Sequence, residues 1–325
     1  MILAIDVGGT KMAAGLVAPD GTVVTSRRAA TPQNADAETL WHTLTTLIDP
    51  LSARAEGVGV GCGGPMTWPD GEVSPLNIPA WRGFPLRARL SGRFPGLPVR
   101  LHNDAICLAI AEHWQGAGQG SADMLGMVVS TGVGGGLILD GRLVNGGTGN
   151  AGHIGHVVVE PDGGPRCGCG GHGCLEAVAR GPALTTWALA QGWTPTGGPE
   201  PLEASEGREA YQEDRAVTGR ALAADALAGD PVAVLAMRRA GRALGIAIAS
   251  ATHLCDLDLV TIGGGLSQAG EPLFGPLEEA LRDHARMGFA RRLKVVPAAL
   301  GQEAGLVGAA ALLLAGGAYW TSSRD

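Results

Sequence analysis

Ile2-Leu-Ala-Ile-Asp6-Val-Gly-Gly-Thr-Lys11 gives the chain an apolar run, an aspartate near its end, and a glycine turn carrying a hydroxyl and a cation. Glycine lets backbone N–H groups approach an anion that a Cβ would hold off, so such a turn after a buried strand suits phosphate. Met12 to Val17 resumes a strand pattern. Asp20-Gly21 then predicts a hairpin turn before Thr22 to Thr25, which completes a three-strand meander. A helix follows over about Asp36 to Leu51, where Leu40, Trp41, Leu44, Leu47, Ile48 and Leu51 recur at helical spacing.

The opening pattern returns later. Leu125 to Val129 reads as a strand, Thr131 to Gly136 as a glycine turn, Leu137 to Leu139 as a strand and Asp140-Gly141 as a hairpin turn. The repeat predicts two lobes built on related meanders, each presenting a glycine turn to a shared cleft. A third such turn, Gly263 to Gly265, follows the apolar Leu257 to Ile262. Helices are expected over Asp230 to His253, with Asp230 as cap and Pro231 in the first turn, near Pro272 to His284, and over Gln302 to Leu314. Gly192 to Asp214, rich in Pro, Gly and Glu, reads as a surface excursion. Alternating strands and helices make the fold class α/β.

Composition narrows the function. A chain of 325 residues has room for two domains, and 45% hydrophobic with 17% charged residues is a folded, globular balance. A net charge of -7 argues against a large basic surface for nucleic acid. Nearly all positive charge is arginine, so Lys11 in a glycine turn stands out. No basic leader or cleavage site opens the sequence, and Leu306 to Trp320 is too short and glycine-broken to span a bilayer, so no membrane contact and a cytoplasmic location are expected. G-x-x-x-x-G-K-[ST] is absent, which excludes a P-loop. G-x-G-x-x-G occurs at Gly59 and at Gly168, but neither copy sits in a strand–turn–helix setting.

Cys167-x-Cys169-x-x-x-x-Cys174 offers three thiolates on a glycine-rich loop. One nitrogen from His153, His156 or His172 would complete a tetrahedral Cys3His site for a structural zinc. Asn103-Asp104 lies between an extended segment, Val99 to His102, and an apolar helix, Ala105 to Trp114, where spacing alone reads Asp104 as a helix cap. Asn77 reads as a turn residue between Pro75 and Pro79, Glu176 as a helix N-terminal charge, and Trp81 as packing.

Asp6-x-Gly-Gly-Thr-Lys11, Gly61-Cys-Gly-Gly-Pro65, Leu76-Asn-Ile-Pro-Ala-Trp81, Asn103-Asp104, Ser130-Thr-Gly-Val-Gly-Gly-Gly136, the 152–176 segment and Ile262-Gly-Gly-Gly265 resemble, in order, motifs of the ROK family. The resemblance implies an actin-like ATPase (hexokinase-like) two-lobed fold. Its small lobe would span about 1–118 plus a C-terminal helix at about 302–316. Its large lobe, about 119–301, would carry the zinc loop. It further implies an ATP-dependent sugar kinase using Mg²⁺, in which Asp6 helps hold the Mg²⁺ shell. Gly9, Thr10, Lys11, Thr131 and Gly132 would cradle phosphates, while Gly264 and Gly265 flank adenosine.

Asp104 would be the general base. Gly64, Asn77, Asn103, Asp104, His153, His156 and Glu176 would contact the sugar, with His156 also joining Cys167, Cys169 and Cys174 on zinc. A homo-oligomer, dimer or tetramer, is implied too. One departure stands out: the family motif Ala-Gly-Glu-x-Gly-His reads Ala151-Gly-His153-Ile-Gly-His156 here. The expected activity is glucokinase-like transfer to a hexose 6-hydroxyl. N-acetylmannosamine kinase is the alternative, and a catalytically silent sugar sensor a remote one. ROK repressors carry a DNA-binding domain ahead of the Asp-x-Gly-Gly-Thr strand, and here only Met1 precedes it.

Overall fold

The computed structural model describes residues 1–196 and 217–319. The first five strands, β1 (Ile2–Val7), β2 (Lys11–Val17), β3 (Val23–Ala30), β4 (Gly57–Cys62) and β5 (Val99–Asn103), form one sheet in the order β3-β2-β1-β4-β5. A second sheet contains β6 (Met124–Val129), β7 (Val133–Leu139), β8 (Arg142–Leu143), β9 (Leu259–Gly263) and β10 (Lys294–Pro297), in the order β10-β9-β6-β7-β8. In each sheet an antiparallel meander is extended by two parallel strands beside its first strand. The repeat seen in sequence is thus a repeat of topology.

β1 is buried on both faces, and its parity aims the aspartate. Leu3, Ile5 and Val7 join a core with Leu40, Leu44 and Ile48 of the Ala37–Ile48 helix. Ile2 and Ala4 pack against Leu306, Ala309 and Ala310 of the Ala304–Leu314 helix. Asp6 shares the parity of Ile2 and Ala4, so its carboxylate meets the start of that second helix. A Cβ on Gly305 would lie 2.4 Å from Asp6 Oδ2, so only glycine leaves room there.

The Asp104–Gln115 and Ala304–Leu314 helices join the two sheets, with Ile106, Cys107 and Ile110 packing against Met124 and Ile138 on one side and Ala311 and Leu312 on the other. Backbone meets backbone along this seam. A Cβ on Gly308 would stand 1.9 Å from Cys107 O, and one on Gly59 1.9 Å from Ala309 O. The fully buried Glu112 carboxylate accepts from the N–H groups of Ala117, Ala299 and Leu300, each at 2.9 Å. It ties the first helix to the chain that leads into the second. Among the described residues, no helix is long and apolar enough to cross a membrane.

Two sequence expectations need correction. Gly134 to Gly136 are not turn but strand, inside β7. Their glycines serve close packing: a Cβ on Gly134 would lie 2.7 Å from Ala105 Cβ, and one on Gly136 2.9 Å from Ala109 Cβ. Only Thr131-Gly132 turns, closed by Ser130 N donating to Gly132 O at 2.8 Å. The helix cap is Asn103 rather than Asp104, since Asn103 Oδ1 accepts from Ala105 N at 3.0 Å and Ile106 N at 3.4 Å. The excursion at Gly192 to Asp214 begins anchored: Trp193 is buried and its Nε1 donates to Asp225 Oδ2 at 2.9 Å. Residues 197–216 lie outside the described residues.

Candidate active site

The Gly8-Gly9-Thr10 turn is braced from below. Gly8 N donates to Lys11 O at 2.9 Å, Thr31 Oγ1 to Gly8 O at 2.7 Å, and Gln33 Nε2 to Gly9 O at 2.9 Å. Asn77 fills the space between this turn and its counterpart in the second sheet. A Cβ on Gly9 would be 2.6 Å from Asn77 Cβ, and one on Gly132 3.9 Å from Asn77 Nδ2. Glu176 reaches the same point, with Oε2 accepting from Val133 N at 3.0 Å. Asp6, Gly9, Asn77, Gly132 and Glu176, scattered in sequence, therefore belong to one region of the fold.

A second group converges on Gly64. The position its Cβ would occupy lies 2.8 Å from Asn103 Nδ2 and 3.6 Å from His153 Nε2. Asn103 spends its oxygen on the helix N-terminus, so its Nδ2 is the end offered outward. His153 Nε2 is buried with no hydrogen-bond partner among the described atoms. Burial, then the neighbouring His156, pull the His153 pKa below its ordinary value, while Glu176 opposes this. The ring is accordingly neutral near pH 7. Two polar nitrogens aimed at a space kept open by glycine make a site for a polar ligand atom.

Asp104 follows directly. A Cβ on Gly63 would be 3.9 Å from Asp104 Oδ2, and Asp104 Oδ1 accepts from Ala105 N at 2.8 Å. Although the residue touches solvent, protein packed around its carboxyl disfavours the charge and, with Asp6 and then Glu176 nearby, raises its pKa to about 7 against the pull of backbone hydrogen bonds. Burial also raises Asp6, with Lys11 and then Arg28 opposing. Lys11, exposed at the start of β2, is near enough to act on that carboxylate. Two carboxyls held above their usual pKa suit a proton acceptor and a cation.

Gly264 and Gly265 stand farther along, at the carboxyl end of β9 beside β6. Gly264 has φ +96° and backs onto Val129, whose O would lie 2.3 Å from a Cβ. Thr131 is two residues beyond Val129, so these glycines and the second glycine turn share the carboxyl ends of adjacent parallel strands, where ligands of α/β sheets bind.

Of the three candidate histidines, the structure selects His156. Its nitrogen and the sulfurs of Cys167, Cys169 and Cys174 all lie within 4.8 Å of one another. Cys169 Sγ to Cys174 Sγ is 3.8 Å and Cys167 Sγ to His156 Nδ1 is 3.6 Å. A tetrahedral zinc with ordinary bond lengths needs about 3.8 Å and about 3.6 Å along those edges, so the donor set fits. His172 instead makes a backbone bridge with Arg166. Trp81 is fully buried, stacked 4.5 Å from Phe84, with Nε1 donating to Ala37 O at 3.2 Å, so it is packing as expected.

Sequence reasoning passed over His102. It accepts Asn103 N at Nδ1 (2.8 Å), so its proton is on Nε2, which meets Asn145 Oδ1 at 2.9 Å. A histidine inside a strand gives no local hint of this.

A family model described as "ROK family" matches residues 2–315. The chain is 34% identical to the glucokinase of Thermotoga maritima, over 96% of each chain. It is 35% identical to an N-acetylmannosamine kinase of Shigella flexneri, over 96% of this chain and 97% of that protein. A ROK family glucokinase from Streptomyces griseus, solved with glucose and AMPPNP, superposes with a TM-score of 0.80 at 35% identity, covering 96% of this chain and 98% of that one.

Proposed function

The chain belongs to the ROK family, and on that premise we propose that it transfers the γ-phosphoryl group of ATP to the 6-hydroxyl of a hexose, as a glucokinase does. That it is an ATP-dependent sugar kinase rests on relatives matching over nearly the whole chain, one of them bound to glucose and AMPPNP. The observation carrying the mechanism is the Asp104 carboxyl, poised at about 7 beside the Gly64–Asn103–His153 cluster.

In this reading Asp104 accepts the proton of the sugar hydroxyl as it attacks phosphorus. Asn103 Nδ2 donates to a ring hydroxyl oxygen, and His153, His156, Asn77, Glu176 and the Gly64 backbone complete the sugar contacts. Orientation supplies much of the rate, because the hydroxyl is held in line with the phosphoryl group. Gly9, Thr10, Lys11, Thr131 and Gly132 receive the phosphates, and Gly264 and Gly265 the adenosine. Asp6 would hold the Mg²⁺ shell, and its raised pKa beside Asp104 fits, since a divalent cation relieves that crowding of negative charge. Bound there, Mg²⁺ neutralises phosphate charge. Zinc on His156, Cys167, Cys169 and Cys174 would have a structural role, fixing the loop between His156 and Glu176.

A base titrating at about 7 sets a sign for the pH dependence. Asp104 works only when unprotonated. The sugar kcat/KM should therefore fall about tenfold per unit as pH drops below about 7 and level off above it. A flat profile from pH 5.5 to 8 would remove Asp104 from the role of base.

His153 supports a second reading, N-acetylmannosamine. A neutral imidazole can donate to an acetamido carbonyl, which an ionised glutamate cannot. Comparing kcat/KM for glucose and N-acetylmannosamine separates the two. If the amino sugar is preferred, His153→Glu should shift the ranking toward glucose by about tenfold or more, the scale of one polar contact. If glucose is preferred, the ranking should stand.

A further inference from the structure

Two residues beyond Gly64, the chain meets an amide from the opposite lobe. Asn150 Oδ1 accepts from Met66 N at 3.1 Å, and Asn150 Nδ2 donates to Met66 O at 2.9 Å. The same Nδ2 donates to Thr148 O at 2.9 Å, within its own loop. Both polar groups of one residue's backbone are thus satisfied by one side chain 84 residues away. The Met66 side chain is rooted in the core of the first lobe, with Val73 and Trp81. Asn150 lies in the loop after β8, just before Gly152, whose Cβ would lie 2.9 Å from Gly135 O in β7. The pairing therefore bridges the two lobes.

Its location gives it meaning. Asn150 is three residues ahead of His153, and Met66 is two beyond Gly64, the pair that face each other across the pocket. Adjacent contacts reinforce the same junction: a Cβ on Gly149 would lie 2.4 Å from Trp68 Cβ, and His102, whose ring packs 4.8 Å from that of Trp68, meets Asn145 Oδ1 through Nε2 at 2.9 Å. We propose that Asn150 is a positioning residue of the sugar pocket, its carboxamide holding the Gly64 wall of one lobe at a fixed spacing from the His153–His156 wall of the other. The inference rests on reading this pocket as the sugar site.

Asn150→Asp keeps the size and one acceptor but loses the donor, and sets a carboxylate against Met66 O and Thr148 O. The expected result is a rise of about tenfold to a hundredfold in the Kd and KM for the preferred sugar. The KM for ATP and the affinity for AMPPNP should stay near wild type, and kcat should change far less than the sugar KM. Sugar binding is measured by calorimetry without ATP, which keeps the inference separate from the kinase reading. Wild type that binds sugar without turnover would defeat the kinase reading alone. Unchanged sugar affinity in Asn150→Asp, or an equal loss of AMPPNP affinity, would overturn the positioning role.

Discussion

Asp104→Asn is expected to lower kcat by about a hundredfold or more, the usual cost of removing a general base, while sugar affinity stays within a few-fold of wild type. The substitution keeps size and one acceptor oxygen but cannot take the proton. Because Asn103, not Asp104, caps the following helix, the variant should fold and melt like wild type. Asp104 Oδ1 accepts from its own neighbour, Ala105 N, at 2.8 Å, a contact the amide oxygen retains. Turnover close to wild type would leave Asp104 as a helix N-terminal charge and nothing more.

The second large effect concerns metal. Purified protein should carry one zinc per chain, and Cys169→Ser should release it. Structural zinc contributes on the order of 10 kcal/mol to the local fold of a zinc-finger peptide at neutral pH, so its loss should disorder the segment from Cys167 to Cys174. That segment leads straight into the Leu175–Ala179 helix carrying Glu176, whose Oε2 holds Val133 N beside the second glycine turn. Activity at fixed sugar should fall by about 10–100-fold, the scale seen when metal-site support is lost, with most of the loss in sugar KM. Metal analysis finding no zinc in protein never exposed to chelator would contradict this.

Much of the fold was legible because the signals are local. Ile2 to Lys11 names a buried strand and its turn, Asp140-Gly141 a hairpin with both residues at positive φ, and Asp230-Pro231 the start of the Pro231–Cys255 helix. The errors came where a residue's neighbour is distant in sequence. Gly134 and Gly136 look like turn glycines until Ala105 and Ala109 are seen packed on them. Asp104 looks like the cap because aspartate and asparagine are both good caps, and only the backbone shows which side chain turns inward. The candidate site divides the same way. Its glycine turns and cysteine spacing can be read from the chain, whereas the aim of Asp6 at Gly305, the His102–Asn145 contact and the Asn150–Met66 pairing depend on residues far apart in sequence. A carboxamide in a glycine-rich loop carries no sequence mark of the peptide it pairs with.

One measurement bears most directly on the central claim: ATP-dependent formation of sugar phosphate over a panel of hexoses and N-acetylhexosamines, with the phosphorylated position identified by NMR. The account predicts Mg²⁺-dependent transfer to the 6-hydroxyl, glucose being the best substrate or N-acetylmannosamine displacing it. Phosphate at any other position, or no transfer from ATP to any member of the panel by zinc-replete protein, would contradict it.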